Sequence, residues 1–445
     1  MDGVKILNPK RLNEETLSVE TVKVWGMHNV KPSIGVINDK ELVMFTCHQH
    51  MEEFAHDQLR PGTGPMLIHS VMYRSHDGGK TWESGNHTPF RGYEPTVTMI
   101  DGVMFVQTHF FQRHKRYEGK ETCIGYLYRS EDRGETWTET KLDSEFLGAD
   151  FNGKSLCPTR NLLKLKDGSI ILFVNSDSAV FRMRSTDMGL SWAVEPVRDT
   201  INHHPQTSMF YEAVQFCTPS GRLMMLSRVV WELIYDDLPH RYHRDQEFDT
   251  DNGMGLLLME SFDDGLTWHG VRGVGDIGMM YPSLEYLDDR RFVLTYTQRL
   301  PMGRVYPHMG VQAVLGQENP DGSFELDFGN DVIVLDDKTP DYTMSGSGYG
   351  MTRKLSDGTL ITPYSYRMMT PFCDRVMKNR EYLDSDDLFI DLATRSGNAR
   401  YVDGPEMPWW QGSSDEWKKV IIMGYMEFMH ESWCPTEVVR WKIKL

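Results

Sequence analysis

The 445-residue chain has no apolar run long enough to span a bilayer. Its opening, MDGVKILNPKRLNEETLSVE, lacks the apolar core that a secretory leader needs. The six cysteines (Cys47, Cys123, Cys157, Cys217, Cys373 and Cys434) include no close pair, which argues against a CxxC redox motif or a zinc knuckle. The expectation from these absences is a cytoplasmic protein with reduced thiols and no resident metal. No ATP, nicotinamide or haem motif is present, so no cofactor is expected. A net charge of −17 speaks against nucleic acid or an anionic membrane as partner, since both need a basic footprint. An acidic substrate would have to be held by local arginines against that overall field. Nor is there a long Pro/Ser-rich linker, so residues 1–445 are read as one domain despite the length.

What is present repeats. Four segments share the pattern Ser-x-Asp-x-Gly-x-Thr/Ser-Trp: SHDGGKTW (Ser75 to Trp82), SEDRGETW (Ser130 to Trp137), STDMGLSW (Ser185 to Trp192) and SFDDGLTW (Ser261 to Trp268). GQENPDGSF, Gly316 to Phe324, reads as a decayed fifth copy. In each, the Asp can accept bonds from turn amides, Gly supplies a left-handed position and Trp packs under the loop. A second unit, apolar strand–turn–apolar strand, occurs six times, with turns at Asn38-Asp39, Asp101-Gly102, Asp167-Gly168, Ser220-Gly221, Asp288-Asp289 and Asp357-Gly358. Six such hairpins predict an all-β, six-bladed β-propeller with about four strands per blade. TEVVRWKIKL at the C-terminus reads as a strand of the last blade, completed by VETVKVW from the N-terminus. Residues 370–434 read as an irregular insertion in that blade.

If the turns share one face, the starts of the first strands and the ends of the second strands meet on the other. Eight residues before each turn stand Lys31, Tyr93, Thr159, Glu212, Met280 or Tyr281, and Tyr349. The second strands end at His48, His50, His109, Asn175, Arg228, Gln298, Arg299, Tyr366 and Arg367. Core positions would be apolar, whereas this set is polar, aromatic or charged. It fits a binding funnel or a solvated rim.

The boxes and the blade pattern resemble the sialidase superfamily over nearly the whole chain outside 370–434. GYGMTRKLSDGTL is similar to the segment carrying that family's nucleophilic tyrosine, with Tyr349 in register. YEAVQFCTPSGRLMMLSR is similar to the segment carrying the glutamate that activates it, with Glu212 in place and Arg228 as one of three clamp arginines. The resemblance implies that Tyr349 attacks the anomeric carbon while Glu212 accepts its proton. A neutral phenol is a poor nucleophile until a carboxylate relieves it of that proton. Tyrosine in this role is the sialidase exception to the two-carboxylate rule. Tyr349 could instead be an aromatic that stacks on a sugar, and Glu212 a structural partner of Arg228.

Two features depart from the family. Val30-Lys31-Pro32-Ser33 stands where its first clamp arginine would be, and Lys31 cannot reproduce a bidentate fork. The third arginine has only Arg304 as a match, with Arg299 and Arg367 as substitutes from neighbouring blades. The resemblance also implies an acid in the first-blade loop, CHQHMEEFAHDQLRPGTGP, where Asp57 lies at a suitable distance. His48, His50 and His56 share that loop with Glu52 and Glu53, which reads first as a polar loop reaching over the funnel and only second as a metal site; the imidazole pKa favours general acid–base work over ligation, with His48 as the alternative acid. His50, Tyr93 and His109 are expected to contact substrate. The expected activity is exo-acting removal of a terminal, acidic sugar from a glycan. A propeller hydrolase or lyase for rhamnosyl-glucuronate or arabinan linkages and a non-catalytic glycan-binding propeller are the alternatives.

Overall fold

The computed structural model describes residues 4–24, 29–48, 69–90, 93–112, 122–148, 156–175, 179–197, 211–230, 254–275, 278–298, 310–336, 338, 348–366, 381 and 435–444. Two strands, β1 (Lys5–Leu7) and β2 (Leu17–Val24), precede the first hairpin and join later blades. Blade one is β3 (Asn29–Val36), β4 (Leu42–His48), β5 (His69–Ser75) and β6 (Asn86–His87). Blade two is β7 (Tyr93–Ile100), β8 (Val103–Gln112), β9 (Thr122–Ser130) and β10 (Thr138–Leu142), after which comes the short helix α1 (Ser144–Leu147). In blade three the inner strand is broken into β11 (Cys157–Pro158) and β12 (Leu163–Lys164); β13 (Ile170–Asn175), β14 (Val180–Ser185) and β15 (Ala193–Pro196) follow. Blade four is β16 (Tyr211–Cys217), β17 (Leu223–Val230), β18 (Met254–Ser261) and β19 (His269–Val274). Blade five contains β20 (Met279–Tyr286), β21 (Arg291–Gln298), β22 (Gly310–Glu318), β23 (Phe324–Leu326) and β24 (Val332–Val334), with β1 on its outer edge. Blade six is β25 (Arg353–Lys354), β26 (Leu360–Ser365), β27 (Thr436–Ile443) and, from the other end of the chain, β2.

These six blades form a ring, so both expectations for the last blade hold: β27 belongs to it and β2 completes it, paired from Leu17↔Ile443 to Val24↔Thr436. Neighbouring blades bury apolar side chains between them. Val43 and Phe45 of blade one meet Val97 and Met104 of blade two, and Ile361 and Val438 of blade six meet Ile34 and Met44 of blade one. Because both faces of a blade are covered, β13 (Ile-Ile-Leu-Phe-Val-Asn) is buried at every residue instead of alternating.

The four intact boxes lie between third and fourth strands, far out along each blade. In the first, the Ser75 hydroxyl donates to Asp77 Oδ1 (2.9 Å) and accepts from the Gly79 amide (2.8 Å). Asp77 also accepts from the Lys80 and Thr81 amides and the Thr81 hydroxyl at 2.7–3.0 Å. Asp132, Asp187 and Asp263 make the equivalent bonds to Thr136, Ser191 and Thr267. Bonds from Ser191 hold the Asp187 carboxyl down to about 2. Glycine is required at Gly189, where φ is +82° and a Cβ would stand 2.5 Å from the Phe105 ring.

The boxes also join blades. Arg440 Nε donates to Gly78 O (2.9 Å), Arg74 Nη2 to Arg133 O (2.7 Å), Arg129 Nε to Met188 O (2.7 Å) and Arg182 Nη1 to Asp264 O (2.8 Å). Each arginine stands on the third strand of one blade and reaches a carbonyl exposed by the tight turn of the next blade's box. The fifth segment forms the expected turn between β22 and β23, and Arg222 reaches its Gly322 carbonyl. Its aspartate differs, since Asp321 caps only Ser323.

Candidate active site

Four of the inner strands carry a β-bulge near their start, between Val30 and Ser33, Tyr93 and Thr96, Tyr211 and Val214, and Met280 and Ser283. Within these bulges Lys31, Glu94, Glu212 and Tyr281 adopt left-handed backbone with φ of 55°, 55°, 46° and 51°. Tyr349, just before β25 in blade six, matches them with φ 63°. Non-glycine residues rarely occupy this region, and doing so costs about 1–3 kcal/mol each. The extra residue of a bulge re-aims its side chain, here into the mouth of the central channel.

Neighbouring blades pin these residues. The Glu94 amide donates to Cys47 Sγ at 3.0 Å and the Tyr349 amide to Thr297 Oγ1 at 2.8 Å. Burial pushes the Cys47 thiol up to about 12, although Lys31 and Arg160 pull the other way.

The side chains meet in one buried cluster. Glu94 is ion-paired with Lys31 from blade one and with Arg160 from blade three. Its Oε2 also accepts a 2.6 Å bond from the Tyr281 hydroxyl. Tyr281 belongs to blade five and Glu94 to blade two, so this bond crosses the channel axis. The Arg160 guanidinium lies 3.9 Å from the Tyr281 ring centroid and 3.5 Å from Glu212 Oε1. Arg228 Nη1 donates to Glu212 Oε2 at 2.8 Å. Tyr349 packs edge-on to Tyr281, with ring centroids 4.2 Å apart, and Lys31 Nζ lies 5.0 Å from the Tyr349 ring centroid. Glu94, Arg160, Glu212, Arg228, Tyr281 and Tyr349 are each at most 5% exposed. Burial acts to lower the Arg160 value, but the adjoining Tyr281 and Glu212 outweigh it and raise it. Among the described residues of the cluster, three cations (Lys31, Arg160 and Arg228) face two carboxylates (Glu94 and Glu212), an excess of positive charge within this set.

Among the residues expected from the sequence, the structure gathers Lys31, Glu212, Arg228, Tyr281 and Tyr349. The eight-residue count lands one position early in blades two and three, where Glu94 and Arg160, one residue further on, enter the cluster. In blade two the turn aspartate Asp101 directly follows β7, whereas Asp39 and Ser220 stand three residues beyond β3 and β16; in blade three the inner strand is broken. A signal for Glu94 was present: Tyr93-Glu94 in blade two repeats Tyr211-Glu212 in blade four, and Lys31, Glu94 and Tyr281 all precede proline. Lys31, foreseen as a stand-in for a clamp arginine, is paired with Glu94. His48, Tyr93 and His109 lie on described strands, but their side chains lie outside the described residues, as do His50, Asp57, Arg299, Arg304 and Arg367. Among the described residues no group of three potential metal ligands occurs.

Two segments match models of the BNR/Asp-box repeat, residues 73–84 and 127–140. No curated protein matches the chain in sequence. A Dyadobacter fermentans protein of unknown function is similar at 19% identity and TM-score 0.56, over 82% of this chain and 95% of its own. The NanB sialidase of Streptococcus pneumoniae is similar at 15% identity and TM-score 0.50, over 76% of this chain and 65% of its own. At these identities the likeness concerns the fold. The chain is thus a closed, six-bladed β-propeller that carries BNR/Asp-box repeats.

Proposed function

We propose that this protein is an exo-acting glycoside hydrolase that releases a terminal, acidic sugar from a glycan. The observation that carries this reading is a single buried cluster that holds a phenol (Tyr349) from blade six together with a carboxylate (Glu212) and a guanidinium (Arg228) from blade four. A continuous chain of contacts joins them: Tyr349 to Tyr281 at 4.2 Å, Tyr281 to Arg160 at 3.9 Å, and Arg160 to Glu212 at 3.5 Å. The excess positive charge gives a substrate carboxylate a reason to enter a chain of net charge −17. In this scheme Tyr349 Oη bonds the anomeric carbon as the bond to the leaving oxygen breaks. Glu212 takes the phenol proton, and Asp57 or His48 protonates the leaving oxygen. Water then bonds the anomeric carbon as the bond to Tyr349 Oη breaks, returning a proton to Asp57 or His48, while the tyrosine oxygen recovers its proton from Glu212. Arg228, assisted by Arg160, holds the substrate carboxylate, and His50, Tyr93, His109, Arg299, Arg304 and Arg367 are the further candidates for contacting it. Turnover of an aryl sialoside by wild type and a drop of about 10³-fold or more in kcat for Tyr349→Phe, with unchanged circular dichroism, is the expected result. Equal rates would refute the assignment.

One observation favours a neighbouring chemistry. Lys31 is tied to Glu94, and among the described residues of the cluster only Arg160 and Arg228 present a guanidinium fork, one fewer than a three-arginine clamp. A propeller hydrolase or lyase acting on rhamnosyl-glucuronate or arabinan linkages fits that feature. A lyase would generate an unsaturated uronate, and its ultraviolet absorbance on incubation with rhamnosyl-glucuronan separates this reading from the first. Binding across a glycan panel without any product would point to a non-catalytic glycan receptor.

A further inference from the structure

The inner strands that present the charged cluster continue to a second opening at the hairpin end of the channel. Four or five residues beyond Tyr281 and Glu94, about 13–17 Å along a strand, the channel widens into a cavity of about 500 Å³ to which all six blades contribute. The Tyr281–Glu94 bond lies across the channel between this cavity and the mouth described above.

The cavity's charges are unevenly matched. Glu285 from blade five faces Arg353 and Lys354 from blade six. Arg353 Nη1 makes a long 3.4 Å contact with Glu285 Oε1 and donates to the Thr352 carbonyl at 2.9 Å. Its Nε and Nη2 make no hydrogen bond to a described residue, so one edge of the planar fork remains open. Lys354 Nζ is directed to the carbonyls of Tyr286 and Leu287. Burial pushes the Glu285 carboxyl above its ordinary value, against the pull of Arg353 and Lys354. Met99, Phe216 and Leu284 also line the cavity and supply an apolar wall against which a carbon skeleton could rest.

We propose that this cavity is a second ligand site, separate from the candidate active site, for a small organic carboxylate of about monosaccharide size. The open edge of Arg353 receives the carboxylate in bidentate fashion, Lys354 adds positive field, and the apolar wall takes the ring face. A neutral sugar of the same shape lacks the group that the guanidinium needs.

Calorimetric titration with D-glucuronate tests the assignment, with D-glucose as neutral comparator. Wild type is expected to bind glucuronate and not glucose. Arg353→Met is expected to weaken binding by at least about tenfold, and Arg353→Lys, which keeps the charge but loses the fork, by a smaller factor. Arg228→Met abolishes any glucuronate binding at the other mouth and is expected to retain the binding that depends on Arg353. Glu285→Gln removes the competing carboxylate and is expected to tighten binding, a gain that misfolding cannot imitate. Absence of glucuronate binding, equal binding of glucose, loss in Arg228→Met with retention in Arg353→Met, or weakening in Glu285→Gln would each overturn the proposal. None of these outcomes depends on whether the protein turns over a glycoside.

Discussion

Glu94 shows why a buried charge has to be judged with its neighbours. It is 5% exposed yet holds Lys31 and Arg160 by ion pairs and Tyr281 by a hydrogen bond. Removing it takes one ion-pair partner from the buried Arg160 and from Lys31, and breaking a buried pair typically costs about 3–5 kcal/mol. Glu94→Ala is therefore expected to lower unfolding free energy by that order in urea titrations. Glu94→Gln, which keeps an acceptor for the Tyr281 hydroxyl, is expected to lose less. The thiols offer a second test. Cys47 is buried with a value pushed up to about 12, and burial raises the Cys157 thiol too. Thiolate is the reactive form, so both are expected to resist iodoacetamide in the folded protein and to react only after denaturation, as read by peptide mass spectrometry. At this scale the sequence was partly legible. Tyr349, Glu212 and Arg228 lie at recognisable offsets from hairpin turns, whereas Arg160 follows an irregular strand that no turn count locates.

The box hairpins and their arginines tie one blade to the next. The box aspartates sit below their ordinary values because turn amides and hydroxyls favour the ionised form. A depressed folded-state value means that the stabilisation is complete above the ordinary carboxylate value, near pH 4. It is lost as pH falls through the folded value, about 2 for Asp187. Acid titration followed by tryptophan fluorescence is expected to lose stability across that window, and Asp187→Asn is expected to flatten that limb. On the donor side, Arg129→Met removes the bond to the Met188 carbonyl and is expected to cost about 1–3 kcal/mol, measured as a shift in urea midpoint. The boxes were plain in the sequence because a tight turn restricts which residues serve at each position. Their arginine partners were not, since Arg74, Arg129, Arg182 and Arg440 are separated from their acceptors by 59 to 362 residues.

Closure is a property of the whole ring. Strand β2 pairs with β27 along its full length and covers what would otherwise be an open sheet edge. Deleting residues 1–24 is expected to expose β27, lower the melting temperature and promote association, read by differential scanning fluorimetry and size-exclusion chromatography. The architecture was determined by the sequence alone: six hairpins with regular turn chemistry, four boxes in register, and complementary terminal strands leave few other ways to cover the sheets. Local rules suffice there because turns and alternation act over a few residues. The tertiary structure decided which side chains meet. Bulges turned Lys31, Glu94, Glu212 and Tyr281 into the channel mouth, and an axial bond joined blades two and five. Coulombic and hydrogen-bond energies depend on distances between remote segments, which only the closed ring establishes.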